Sequence, residues 1–150
     1  MATNLTQQDA VSAKLINRWE QVGQKLVALA AEIPEDKFDY RAAESVRTAA
    51  EVLRHVAFWN LYVADSARGK KANDTANELP KAEFGAKTRI VDALKRSVAQ
   101  SADALKKQES GLSPEMAEML VTFIEHTCEH YGQLVVYGRL NGIIPPASRG

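Results

Sequence analysis

Apolar residues recur every three or four positions along most of the chain, and no segment alternates with the two-residue period of a strand. Proline and glycine divide this pattern into four long segments, which predicts four amphipathic helices. The first helix is expected to run from about Thr6 to Ile33, because Pro34 cannot continue it. Its apolar stripe consists of Val11, Leu15, Trp19, Val22, Leu26, Leu29 and Ile33.

The second helix begins at a capping-box pattern. Thr48 is expected to accept a hydrogen bond from the third helical N–H, while Glu51 reaches back to the backbone of Thr48. The helix continues through an apolar stripe that includes Trp59. Gly69 then fits the left-handed position that commonly follows a helix C-terminus. A connection rich in polar residues follows over 70–80.

The third and fourth helices differ in how clearly they are marked. Gly85 leaves the first turn of the third helix undefined, because glycine weakens a helix interior. The fourth helix has Ser113 as N-cap and Pro114 at the first helical position, and it is expected to end near Leu140. Its apolar arc is unusually wide. That width predicts a helix that is central in the bundle or shared with a second subunit.

Composition agrees with a globular protein. The length of 150 residues suits one domain, so the pattern predicts a single all-α domain over residues 1–150, a four-helix bundle. The formal net charge is +0 and the basic residues are scattered, which argues against nucleic acid or an acidic membrane as a partner. We find no candidate membrane span and no secretory signal in the sequence, so a cytoplasmic location is expected.

The three histidines carry the candidate chemistry. His126 and His130 lie four residues apart on the fourth helix, so both imidazoles can reach one ion. A helical wheel turns both toward the core, and it turns His55 of the second helix inward as well. An inward histidine is often only a hydrogen-bonded core residue, but here none of the three is predicted on the surface. Three imidazoles with an open fourth position are typical of a catalytic metal site rather than a structural one.

Other polar residues are weaker candidates. Glu51 lies one turn before His55, where it could serve as a base or a fourth ligand, although capping the helix is the simpler interpretation. Gln133 and Asn60 are candidates to orient the imidazoles. The single cysteine, Cys128, points away from the histidine pair on the wheel and is interpreted as a small packing residue.

Several segments of the chain resemble DinB/YfiT-like proteins. The most specific is 126–148, with its H-x-x-x-H-x-x-Q-L run, and the segments 34–41 and 50–57 resemble the first half of that family. The resemblance implies a four-helix bundle with an unusual order of helix directions, often dimeric. It also implies a divalent metal held by one histidine of the second helix and two of the fourth. These ligands map onto His55, His126 and His130.

The resemblance leaves the reaction open. Some relatives transfer low-molecular-weight thiols to electrophiles, and others are described as metal-dependent hydrolases. We therefore expect a metal-dependent enzyme with a small-molecule substrate, and we place thiol S-transfer slightly ahead of hydrolysis. A non-enzymatic, stress-linked metal-binding module is the third alternative. Zinc or nickel is the expected metal, with iron and manganese as further candidates. A homodimer is also expected, from the wide apolar arc of the fourth helix.

Overall fold

Four helices make up the fold, close to the predicted bounds. The computed structural model describes residues 7–149, apart from the side chain of Gln8. Its long helices are α1 (Gln7–Glu32), α2 (Ala49–Ala67), α3 (Lys87–Lys106) and α4 (Pro114–Leu140), with short 3₁₀ helices at Glu35–Lys37 and Pro146–Ser148. Over this part of the chain there is no strand, so the all-α prediction is confirmed. The expected helix start at Thr6 lies outside the described residues.

The predicted helix caps are formed. The Thr48 hydroxyl accepts from the N–H of Glu51 at 3.2 Å, and the Glu51 carboxylate accepts from the N–H of Thr48 at 2.7 Å. Ser113 caps α4 in the same way, by accepting from the third N–H of that helix. Gly69 has a φ of 67° just after α2, a conformation that costs glycine little. Gly85 precedes α3, so it does not weaken that helix.

Contacts between helix ends give the direction of each helix. The C-terminal ends of α2 and α3 meet where Gln108 donates to the carbonyl of Ala67, so these helices run parallel. At the start of α3, Lys87 donates to the carbonyl of Ile33 at the end of α1, so those two are antiparallel. The Ser12 hydroxyl in the first turns of α1 accepts from the N–H of Leu112, two residues before α4, which makes α1 and α4 parallel. Around the bundle the order is α1–α3–α2–α4, with α1 and α2 on one diagonal.

Buried side chains from all four helices fill the interior. At one end, Trp19 is 2% exposed and its indole N–H donates to the Ser101 hydroxyl at 2.9 Å, which joins α1 to α3. The same two helices approach closely at Gly23, where an added Cβ would lie 2.8 Å from both methyl groups of Val98. The predicted stripe of α1 is buried from Trp19 onward, whereas Val11 in the first turns is 51% exposed. Fully buried side chains include Leu26, Leu29, Leu53, Leu94, Leu120 and Leu134.

The connection between α2 and α3 positions part of the site. Because these neighbouring helices run in the same direction, the chain must return along the bundle before α3 begins. Within this connection Leu79 is buried, and its N–H donates to the carbonyl of Arg54 on α2. Asn77, two residues earlier, is thereby brought against the middle of α2. None of the helices within 7–149 combines the length and the apolar character needed to cross a membrane.

Candidate metal centre

The three histidines meet between α2 and α4. His55 comes from the first half of α2 and is 6% exposed, while His126 and His130 project from α4 and are half-buried. Because α2 and α4 are antiparallel, the start of α2 lies beside the end of α4, where Tyr137 donates to the carbonyl of Arg47. One ring nitrogen from each histidine lies within 4.8 Å of the other two. The predicted convergence is therefore confirmed, and the cluster could hold a metal ion.

A backbone carbonyl orients the imidazole of His55. The Nδ1 atom of His55 lies within hydrogen-bond distance of the carbonyl oxygen of Asn77. A carbonyl only accepts, so we assign the proton of the neutral ring to Nδ1, which leaves a lone pair on Nε2. The side chain of Asn77 also accepts from the indole N–H of Trp59 at 3.1 Å. These contacts turn Nε2 of His55 toward the other two histidines.

A chain of hydrogen bonds orients His130 in the same way. Its Nδ1 lies 2.9 Å from Oε1 of Gln133, whose amide group donates to the hydroxyl of Tyr137 at 2.8 Å. That hydroxyl donates to the backbone carbonyl of Arg47, also at 2.8 Å. With the Gln133 oxygen as acceptor, we assign the proton of His130 to Nδ1 and the lone pair to Nε2. Partners of this kind fix the ring orientation of metal-binding histidines.

The donor set fits a divalent ion. Nε2 of His55 and Nε2 of His126 are 2.8 Å apart, so two lone pairs at this distance would repel unless a cation or a proton lay between them. The Nδ1 atom of His126 is buried and has no hydrogen-bond partner among residues 7–149. Neutral imidazole nitrogens are good ligands for zinc and nickel. An ion held by these three nitrogens alone would keep a further coordination position open.

Burial keeps the three imidazoles neutral. It lowers the pKa of His55 from 6.5 to about 4 and that of His126 to about 3, and it also lowers the pKa of His130. The positive charge of Arg47 lowers the pKa of all three further. Metal binding requires deprotonated ligands. At neutral pH a metal ion would therefore not need to displace protons from these rings.

Two residues were predicted to orient the imidazoles, and the prediction is correct for Gln133 and wrong for Asn60. Gln133 contacts His130, as expected. Asn60 does not reach the site, because its side chain donates to the hydroxyl of Ser97 at 3.0 Å and so faces α3. Asn77, which the sequence did not predict, orients the imidazole of His55 instead. No periodic pattern marks a loop residue whose backbone carbonyl is the contact.

Glu51 lies one turn before His55 but is engaged in capping α2. Its carboxylate accepts from the backbone N–H of Thr48 and lies 3.6 Å from the guanidinium of Arg41. The hydrogen bond from the Thr48 backbone lowers its pKa. The potential metal-binding group formed by the described residues does not include Glu51. The capping interpretation is therefore the one that the contacts support, and a catalytic role stays a prediction.

The packing role predicted for Cys128 is wrong. The side chain is exposed, because the face of α4 opposite the histidines points to solvent rather than into the bundle. The exposed apolar residues Val121 and Val136 share this outer side of the helix. The chain has no other cysteine, so it brings no thiol of its own to the histidine cluster.

Aromatic side chains continue the site along the groove between α2 and α4. The rings of Trp59 and Phe123 stack with centroids 5.5 Å apart, and each has an edge contact with one of the histidines. Both rings, together with Tyr62, line a cavity of about 440 Å³. On another side, Asn77 and Arg47 line a second cavity of about 310 Å³. The centre thus lies near two concave regions that could admit a small molecule.

Two comparisons with known proteins bear on this centre. A family model described as the DinB superfamily matches residues 18–134, a range that contains all three histidines and most of the helical bundle. No curated protein matches the chain.

Proposed function

The chain belongs to the DinB superfamily, and on this premise we propose that it is a metal-dependent enzyme that transfers a low-molecular-weight thiol to an electrophile. The observation that carries the proposal is the cluster of three neutral imidazoles, two of which are oriented by hydrogen bonds at Nδ1. Such a cluster leaves one coordination position open. Zinc or nickel suits it best, because both accept nitrogen and sulfur ligands.

A divalent ion held by His55, His126 and His130 would lower the pKa of a bound thiol and present it as the thiolate. In the net reaction the thiol loses its proton, and a sulfur lone pair forms the new carbon–sulfur bond. The leaving group departs with the electron pair of the bond that breaks. The chain contributes oriented, neutral nitrogen ligands and a groove lined by aromatic rings beside them.

Hydrolysis is the alternative. A water nucleophile usually benefits from a nearby carboxylate base. Glu51 is the only carboxylate that the sequence suggested, and its hydrogen bond to Thr48 and its proximity to Arg41 commit it to the helix cap. A thiol needs less help from a base, because a substantial fraction ionises near neutral pH once its pKa is lowered. We therefore place thiol transfer ahead of hydrolysis.

The test uses the zinc- or nickel-loaded protein, a chromogenic aryl halide as electrophile, and a panel of small thiols with and without carboxylates. We expect thioether formation to require the protein, the metal and a thiol together, and to vanish in His126→Ala. Glu125→Gln changes an exposed neighbour on α4 and serves as the matched control. Halide release that is equally fast without any thiol, with the hydroxylated product in place of the thioether, would favour a hydrolase. Tight metal binding with no acceleration for any thiol would favour a non-enzymatic module.

The homodimer stays a prediction. Apolar side chains remain exposed along and beyond the outer side of α4, and they support a contact with a second copy of the chain. They are Val121, Val136, Leu140 and Ile144. Sedimentation at micromolar concentration is expected to give twice the mass of the chain, and a monomeric mass would reject the dimer.

A further inference from the structure

Arg47 lies beside the metal centre and forms no ion pair with any residue of 7–149. It lies just before the cap of α2 and is half-buried, and its guanidinium has no hydrogen bond or ion pair within the described part of the chain. Its own backbone carbonyl is held by the hydroxyl of Tyr137, in the same hydrogen-bond chain that orients His130. The backbone of Arg47 is therefore fixed to the wall of the site.

Neighbouring arginines are already engaged. Arg41 lies 3.6 Å from the carboxylate of Glu51 and donates to a backbone carbonyl of the same loop. Arg54 is buried and lies 3.6 Å from the carboxylate of Glu78. Arg47 differs from both, because it forms no ion pair with a carboxylate of residues 7–149, and its positive charge lowers the pKa of all three histidines. Among these three arginines, Arg47 is therefore the one that no carboxylate of the described residues engages.

The location of this charge is electrostatically unfavourable unless an anion joins it. A guanidinium near three ligand nitrogens repels the divalent ion that those nitrogens would hold. A negative group between the two cations would reverse that effect. The cavity of about 310 Å³ that Arg47 lines with Asn77 and Ser45 is also lined by Glu44, Glu51 and Glu78. Glu51 and Glu78 already lie beside Arg41 and Arg54, so Arg47 can still attract a small organic anion into this space.

We infer that Arg47 is a substrate-binding residue whose guanidinium binds a carboxylate of the small molecule that occupies the open metal position. This inference rests on the proposed function and narrows its substrate class to carboxylate-bearing thiols. The planar guanidinium matches a carboxylate through two parallel hydrogen bonds, which a lysine could not provide. A hydrogen bond to a charged group strengthens binding by about 10- to 100-fold when the partner is well placed.

The experiment compares two thiols of the same length. Cobalt(II)-loaded protein is titrated with 3-mercaptopropionate and with its neutral amide, and binding is followed by the sulfur-to-cobalt charge-transfer band. We expect the carboxylate to bind about 10- to 100-fold more tightly than the amide, as for one charge-assisted contact. In Arg47→Gln this preference is expected to disappear. In Arg41→Gln, which changes the other arginine of the same cavity, it should persist.

A titration without any thiol separates this inference from the proposed function. Succinate has two carboxylates, one for Arg47 and one for the metal, and its binding to the zinc-loaded protein is measured by calorimetry. We expect Arg47→Gln to weaken succinate binding at least about 10-fold, the loss of one charged contact. Equal binding to both proteins would overturn the role of Arg47. Selective succinate binding without a charge-transfer band for either thiol would instead overturn thiol binding and leave Arg47 as the anion site.

The zinc affinity of Arg47→Gln tests whether Arg47 supports the fold of the metal site instead of binding the substrate. In a buffer without carboxylates or phosphate, the variant should bind zinc as tightly as the unaltered protein or more tightly, because a repelling charge has been removed. Weaker zinc binding would mean that Arg47 supports the fold of the site rather than the substrate, and would overturn the inference.

Discussion

Replacing His126 with alanine is expected to lower the zinc affinity of the protein by more than about 100-fold. Loss of a residue that merely orients a metal ligand already costs 10- to 100-fold in affinity, and this variant removes the ligand itself. Nε2 of His126 is 2.8 Å from Nε2 of His55, and its removal would leave only two imidazoles to hold the ion. Competition with a chromogenic chelator measures the affinity.

Two control variants sharpen this test. Glu125→Gln changes the exposed residue next to His126 and should leave zinc binding unchanged. Gln133→Ala removes the partner of His130 Nδ1 but no ligand, so its affinity should fall between those of the other two variants. Circular dichroism should show an intact helical fold in all three. If His126→Ala bound zinc as tightly as the unaltered protein in the chelator competition, the three-histidine centre would be refuted.

Replacing Trp19 with alanine is expected to lower the free energy of unfolding by about 3–5 kcal/mol. The indole is 2% exposed and fills the space between α1 and α3, so its removal leaves a large cavity. The total stability of a domain is only about 5–15 kcal/mol, so the variant should be partly unfolded at moderate temperature. Urea unfolding followed by circular dichroism gives the change.

A second variant and a control show how much of this loss of stability comes from the buried ring and how much from its hydrogen bond. In Trp19→Phe a ring remains but the hydrogen bond to Ser101 is lost, and the Ser101 hydroxyl keeps its contacts to carbonyls of α3. The loss should therefore be smaller than in Trp19→Ala. Val11 belongs to the same predicted stripe but is 51% exposed, so Val11→Ala should change stability by less than about 0.5 kcal/mol. Equal effects of Trp19→Ala and Val11→Ala would contradict this view of the core.

Local chemistry was sufficient to predict most of the helix boundaries. The capping box at Thr48 and Glu51 and the Ser113–Pro114 start both depend on residues three or fewer positions apart, and both are formed as predicted. The start of α3 was left open by the sequence, because no capping side chain marks it and Ala86 at its N-cap makes no side-chain hydrogen bond.

The histidine centre was predictable in part. The spacing of His126 and His130 determines by itself that both imidazoles share one face of α4, since four residues make about one helical turn. Helical periodicity also predicted that His55 points inward. It does not say which neighbouring helix an inward residue meets, and this is why Asn60, which faces α3, was wrongly assigned to the site.

Sequence periodicity thus determined the helices, their inward faces and the inward position of the three histidines. Only the tertiary structure decided that α2 and α4 cross in opposite directions, which brings His55 against a pair 71 and 75 positions later in the chain. It also decided that the connection between α2 and α3 brings Asn77 to the ring of His55, and that Arg47 lies near enough to lower the pKa of that ring while it forms no ion pair within 7–149. These contacts depend on helix order and on the path of connections, and neither leaves a periodic signal in the residues involved.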